Sequence, residues 1–408
     1  MRSSPGQPAE IQITDLAHDG RGVGRLDGKV VFVEGALPGE QVQTAGLRHR
    51  GKISETQVAS ILQASPDRRD PRCPHFSECG GCSLQHLQYQ AQLEARQIHL
   101  LGQLRRSGIE PVELLQPVSS EEFGYRRRAR LVVEKRTRRI GYRRKSSNAL
   151  AAVEQCPVLT PSLQSVLPSV AHLVVALKGR IEEVELAETS EGIQLLLHAQ
   201  SPWRASLDLP AVESVARVMW LQGKQVRELY SGEFVSAVPG FMQANRQVNQ
   251  QLVAAALDAL QPLEGKNLVD FFCGAGNFTL ALAAAGGGII GYELSASLVE
   301  QARRHGLPNA DFRCANLFDT RSLASLKKTL ADVDAALLDP PRAGALELCR
   351  TLASNGPGQL IYVSCHPATF ARDAAALVEG GYQLQSLQMF DMFPQTMHCE
   401  LMACFRRC

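Results

Sequence analysis

NLVDFFCGAGNFTLAL, residues 267–282, decides the fold. A short apolar run reads as a buried strand, and Asp270, Gly274 and Gly276 shape a turn that leads straight into a helix. In open parallel sheets such a turn lines the ligand crevice at the carboxyl ends of the strands. The third glycine of the dinucleotide fingerprint is missing, since Thr279 stands in its place. Pyrophosphate is therefore disfavoured, and a nucleoside without phosphates fits better. The next strand, GIIGYELS (288–295), ends in Glu293, an acid placed to accept hydrogen bonds from a ribose.

Outward from this turn, QVNQQLVAAALDAL (247–260) reads as a helix, and strands and helices alternate to about residue 379. That alternation predicts a parallel sheet covered by helices. Two further strands end in tetrads, Asp339-Pro-Pro-Arg342 and Ser364-Cys365-His366-Pro367. Both follow the carboxyl end of a strand, so Asp339, Cys365 and the Gly274 turn are expected to share one pocket. Cys365 is singled out as a nucleophile because proline and the strand end hold it at the crevice. Cys273 competes, but it belongs to the cofactor turn. QLQSLQMFDMF (383–393) and CELMACFRR (399–407) are expected to pair as a terminal hairpin that brings Glu400 over the same edge as a general base.

Before this unit the pattern differs. Short strand-like runs over residues 8–64, punctuated by Gly20, Gly22, Gly24, Gly28, Gly35 and Gly39, predict a small β-barrel. Such a barrel suits oligonucleotide binding or a spacer role. SPDRRDPRCP (65–74) breaks the periodicity, and Cys73, Cys79 and Cys82 follow within ten residues, with glycines that let the backbone wrap an inorganic centre. Cys156 is the best candidate to close a four-thiolate shell. Spacing alone leaves zinc and an iron–sulfur cluster open. Residues 84–106 have helical apolar spacing, and strand-like runs between about 110 and 235 predict a central antiparallel sheet. That sheet carries a cationic stripe, residues 125–145, with eleven Arg or Lys against Glu134. A basic stripe interleaved with Tyr125 and Tyr142 suits a phosphate backbone. A solvated charged hairpin is the plainer alternative. The expected units are 1–64, 65–240 and 241–408.

The 408 residues, 45% hydrophobic and 21% charged, exclude a single small module and a disordered chain. No apolar stretch reaches the roughly 18 residues that span a bilayer, and residues 1–10 have no apolar signal core, so a cytoplasmic protein without membrane contact is expected. Eleven cysteines in a reducing compartment point to metal binding or catalysis rather than disulfides.

The three-unit order, the four cysteines and the motifs FMQAN (241–245), DFFCGAGNF, DPPRAG, SCHPATFARD and HCE resemble the bacterial RNA uracil-5-methyltransferases over nearly the whole chain. The N-terminal segment is similar to the TRAM domain, and with the cysteine cluster it resembles the branch acting on 23S ribosomal RNA. The resemblance implies a class I, Rossmann-like methyltransferase domain, a [4Fe-4S] cluster on Cys73, Cys79, Cys82 and Cys156, and S-adenosyl-L-methionine as donor. It also implies methylation of a looped or single-stranded uridine, position 1939, without an obligate protein partner. Gln243, Phe272, Asn277, Glu293, Asn316 and Asp339 would contact S-adenosylmethionine or the uracil, Cys365 would attack, and Glu400 would be the base. His366 stands where the family usually has asparagine. Two rivals are an adenine amino-methyltransferase, whose tetrad usually continues with an aromatic where Arg342 stands, and a non-catalytic RNA-binding assembly factor.

Overall fold

In the computed structural model of the chain, residues 7–177, 181–203, 214–223, 225–229 and 242–407 are described. Phe241 of the FMQAN motif lies outside them.

Ile11, Ile13, Val31, Val33 and Val42 point inward at period two and form the core of the expected barrel. Glu10–Leu16 pairs with Gly22–Leu26 on one side and Gln41–Thr44 on the other, and Lys29–Glu34 closes the ring by running parallel to Ile53–Gln63. Gly24 permits the tight strand approach, since a Cβ there would stand 2.4 Å from Ile11 Cγ2 and 2.7 Å from Gln12 O. Buried Glu40 accepts a 2.5 Å hydrogen bond from Arg68 Nε and so fastens the barrel to the cysteine-bearing segment.

The central sheet has seven strands, in the order Leu150–Ala152, Ile140–Arg143, Arg128–Val133, Ile181–Thr189, Gly192–Ala199, Val215–Gln222 and Gln225–Glu228. Neighbours run antiparallel except Gly192–Ala199 and Val215–Gln222, which are parallel. Helix Pro161–Ala176 covers the sheet with Leu163, Val166, Leu167, Val170 and Leu173.

The C-terminal sheet runs Ala310–Cys314, Gly288–Glu293, Asn267–Phe271, Ala335–Leu338, Gln359–Ser364, Glu400–Arg407, Tyr382–Phe390 and Glu113–Leu114. The first five strands are parallel, and Glu400–Arg407 is antiparallel to both its neighbours, as the terminal-hairpin reading expects. Leu337, Ile361 and Val363 are buried, as befits strands covered on both faces.

Residues just after the cysteine cluster also pack here. Helix Tyr89–Arg106 buries Leu100 and Leu104 with Tyr362 and Phe370, and Glu113–Leu114 adds an edge strand. Periodicity announces that helix's apolar face but not the core that receives it. Arg96 on the same helix forms a fully buried two-pronged ion pair with Asp391, both bonds 2.9 Å. Removing one partner of such a pair typically costs about 3–5 kcal/mol. Among the described residues, no helix is long and apolar enough to cross a membrane.

Candidate active site and the cysteine pocket

The Asn267–Phe271 strand stops because the chain reverses through Phe272 (φ +65°), Gly274 (φ +57°) and Gly276 (φ +96°). The reversal aims the Gly274 N–H at Glu293 Oε2 (3.2 Å), while Glu293 Oε1 accepts from Ser295 N–H (2.8 Å). The Phe272 ring lies 5.6 Å from that of Phe318, which is half exposed, so a planar base has an aromatic surface to stack on. Asn316 Oδ1 accepts from the Phe318 N–H (3.0 Å) and fixes that loop. Asn277 exchanges two amide hydrogen bonds with Asn249, 2.9 and 3.1 Å. Asp270 is buried beneath the turn and takes a 2.6 Å hydrogen bond from Thr279 Oγ1, and burial lifts its carboxyl to about 7. Gln243 is buried and uses its carbonyl to accept from Arg127 Nε (3.0 Å), just before Asn245 caps helix Arg246–Leu260.

Next along the same edge, Asp339 follows strand Ala335–Leu338 and donates its N–H to Phe271 O (3.2 Å). Cys365 follows Gln359–Ser364, and Glu400 opens Glu400–Arg407. Ser364 pairs with Leu401, so the antiparallel register sets Cys365 beside Glu400. Burial pushes the Cys365 thiol up to about 12, and the charges of Glu400 and Asp339 push the same way against Arg342. Burial also raises Glu400 well above the usual carboxylate range, reinforced by Asp339 and opposed by Arg342, and burial takes Asp339 to about 7. The site thus gathers a thiol and two carboxyls that resist ionising together, with Arg342 the cation easing Cys365 and Glu400. In the sequence Arg342 stands out only as a tetrad member, and Asn249 and Phe318 carry no motif. A polar residue one turn past an N-cap and an aromatic two residues after Asn316 were the available signals.

His366 explains its own presence. It caps helix Pro367–Glu379, its Nδ1 accepting from the Thr369 N–H (3.3 Å), which puts the ring proton on Nε2. An asparagine would cap with its oxygen and keep an amide donor outward, so histidine retains both functions. Downstream, Asp373 accepts from Ala345 N–H (2.5 Å) and Tyr362 OH (2.7 Å), which fixes the end of the DPPRAG loop.

Cys73, Cys79, Cys82 and Cys156 line one cavity of about 280 Å³ between the residue 73–82 loop and the central sheet. Burial raises Cys82 to about 12 and Cys156 to about 11, and the neighbouring cysteines add to both. The Gly81 N–H points at Cys79 Sγ (3.4 Å). Phe76, Tyr142, Val153 and Val158 supply apolar walls, His75, Gln85, Arg126 and Gln155 polar ones, and Phe393, Thr396 and His398, close to Glu400, also line it. Among the described residues, no three His, Cys, Asp or Glu form a group that could hold a metal ion as they stand.

The basic stripe is less free than its sequence implies. Arg128 pairs with Glu185 (2.6 Å), Arg130 with Glu183 (2.5 Å), Arg144 with Glu78 (2.8 Å) and Lys145 with Glu34 (3.0 Å). Arg126 Nε is spent on Arg128 O and Arg127 on the Gln243 carbonyl. Arg136 and Arg139, on the hairpin between Arg128–Val133 and Ile140–Arg143, remain exposed.

A five-stranded parallel sheet with a terminal antiparallel hairpin and a glycine turn at the carboxyl end of its central strand define a Rossmann-like domain of the class I methyltransferase kind. Comparison with known proteins narrows the class. A family profile described as tRNA (Uracil-5-)-methyltransferase matches residues 226–407, and a TRAM domain profile matches residues 2–43. The 23S rRNA (uracil(1939)-C(5))-methyltransferase RlmD of Alkalilimnicola ehrlichii is 37% identical, covering 100% of this chain and 98% of the relative. The enzyme of the same name from Nitrosococcus oceani is 38% identical over 98% of this chain and 96% of its own length. The tRNA (uracil-54, C5)-methyltransferase of Pyrococcus abyssi, solved with S-adenosyl-L-homocysteine, shares the fold with a TM-score of 0.74 at 24% identity, covering 97% of this chain and 100% of that one. The chain belongs to the RNA uracil-C5-methyltransferase family.

Proposed function

We propose that this protein methylates C5 of a looped or single-stranded uridine in 23S ribosomal RNA, corresponding to position 1939, with S-adenosyl-L-methionine as donor. The observation that carries the reading is the adjacency of Cys365 and Glu400 at the strand edge that also holds the cofactor turn. The full-length likeness to relatives named for that uridine supports the substrate, and a ribosomal RNA substrate supports a cytoplasmic location.

Uracil C5 is too weak a nucleophile to take a methyl group directly. Cys365 loses its proton to water and its thiolate adds to C6, which turns C5 into part of an enolate. The S-adenosylmethionine sulfonium supplies the electrophilic methyl. C5 takes that methyl, leaving S-adenosylhomocysteine, and Glu400 then removes the C5 proton. The electron pair left behind forms the C5–C6 double bond and expels the Cys365 thiolate. Arg342 is placed to favour both ionised forms. Gln243, Phe272, Asn277, Glu293, Asn316 and Asp339 would hold donor or uracil, with the Phe272–Phe318 pair stacking on a base and Glu293 meeting the ribose. A stacked uridine is out of reach, so the target must be looped or flipped.

The four cysteines fit a [4Fe-4S] cluster. Burial raises all four thiols that line this cavity, so they need a cationic centre to become ligands. Mass mapping of 23S ribosomal RNA from a strain lacking the gene, followed by methylation of that RNA by the purified protein, tests the substrate. The expected result is a missing methyl at one uridine that the protein restores, and an unchanged methyl pattern would overturn it.

A further inference from the structure

The nine residues 391–399 join the two strands of the terminal hairpin and deliver Glu400 to the site. Their anchors come from parts of the chain that precede the central sheet. Arg96 holds Asp391 and also donates to Thr396 O (3.0 Å) and Phe393 O (3.4 Å). Tyr125 OH donates to Pro394 O (2.9 Å) and Tyr89 OH to Asp391 Oδ2 (2.8 Å). Gln395 is fully buried at φ +72°, a conformation that a non-glycine residue keeps only where its surroundings over-determine it. Its carbonyl accepts from both the Ser83 and Leu84 N–H groups (2.9 Å each), directly after Cys82. Its own N–H donates to Gln92 Oε1 (3.1 Å), and Gln92 Nε2 donates to Gln395 Oε1 (3.0 Å), Leu84 O (3.0 Å) and Leu87 O (2.9 Å).

We propose that Gln92 and Gln395 are positioning residues for the base: they tie the cysteine-bearing segment and helix Tyr89–Arg106 to the 391–399 loop and so fix the Glu400 carboxylate against uracil C5. The inference rests on the roles given above to Cys365 and Glu400. Proton transfer needs heavy atoms within about 2.6–3.2 Å, so a loosened loop slows that step. Cys365 is held by the Gln359–Ser364 strand and the Pro367–Glu379 helix instead. Attack at C6 and methyl transfer therefore proceed without the loop. The step affected is the last one, in which the C5 proton passes to Glu400 and the thiolate leaves C6.

The test uses the full-length protein, Gln92→Leu, and a target RNA carrying either uridine or 5-fluorouridine at the methylated position. With 5-fluorouridine there is no C5 proton to remove, so the covalent adduct reports attack and methyl transfer alone. Gln92→Leu should form this adduct at the wild-type rate, while turnover on uridine RNA falls about 10- to 100-fold and a methylated protein–RNA adduct accumulates. Equal loss on both RNAs, or no loss on either, would overturn the proposal. Arg96→Lys, which keeps the charge but lacks the fork to hold Asp391, Phe393 and Thr396 together, should show the same split. S-adenosylmethionine affinity and thermal melting verify that each variant is folded. Absence of a fluorouridine adduct in the wild type would instead overturn the role of Cys365, and the proposal with it.

Discussion

Cys365 and Glu400 lie side by side across two antiparallel strands, one residue beyond the Ser364–Leu401 pair. Each raises its own resistance to ionisation by being buried, and the Glu400 charge adds to that of the thiol. The pair is separable by where each variant stalls. Cys365→Ala should form no covalent RNA adduct and no methyluridine. Glu400→Gln should lose at least about 100-fold in turnover yet accumulate a denaturation-resistant adduct carrying label from the methyl donor. Normal turnover by Glu400→Gln would move the base elsewhere, and methylation by Cys365→Ala would remove the covalent mechanism.

Donor binding should depend on pH through Asp339. Its carboxyl ionises only near 7 in the free protein, because burial disfavours the charge. Below that pH it is neutral, and if Asp339 holds the donor, as proposed above, a cationic donor has to expel the proton first. Affinity for S-adenosylmethionine should therefore rise by up to tenfold per pH unit on approaching pH 7 and level off above it. Calorimetric titration of Asp339→Asn should give a flatter profile and weaker binding at pH 8.

Salt dependence should separate the two parts of the basic stripe. Arg136→Ala and Arg139→Ala together should lower the log–log salt slope of RNA binding by about 0.7–0.9 for each lost phosphate contact. Substituting Arg126, Arg127 and Arg128 together should lower the melting temperature as well, because these side chains brace the Gln243 segment, the Arg128 backbone and Glu185. An unchanged slope for the exposed pair would make that hairpin a solvated face.

Anaerobically purified protein should be brown with four irons per chain, and Cys156→Ser should lose the iron as fully as Cys79→Ser, since each thiolate holds one corner. Metal analysis and the visible spectrum read this directly. Colourless protein with one zinc per chain would contradict the cluster. Because Phe393, Thr396 and His398 share the cavity, iron loss should also expose loop 391–399 to hydrogen exchange.

Much of this protein is written locally. The period-two pattern of Ile11 and Ile13, the glycine reversal at Gly274 and Gly276, and the strand-ending tetrads at Asp339 and Cys365 each depend on a few neighbouring residues, so strand, turn, helix and pocket edge follow from the sequence alone. The convergence of Asp339, Cys365 and Glu293 also follows, because a parallel sheet brings its carboxyl ends to one crevice. Tertiary structure decided what lies between distant segments. Nothing near Arg96 announces Asp391, nothing near Gln92 announces Gln395, and the acids that pair with Arg128 and Arg130 lie on the strand Ile181–Thr189. A buried charge or amide is tolerated only where a partner meets it. That partner is set by packing the whole chain, which is why the sequence names the candidate site residues and the fold determines what holds them in place.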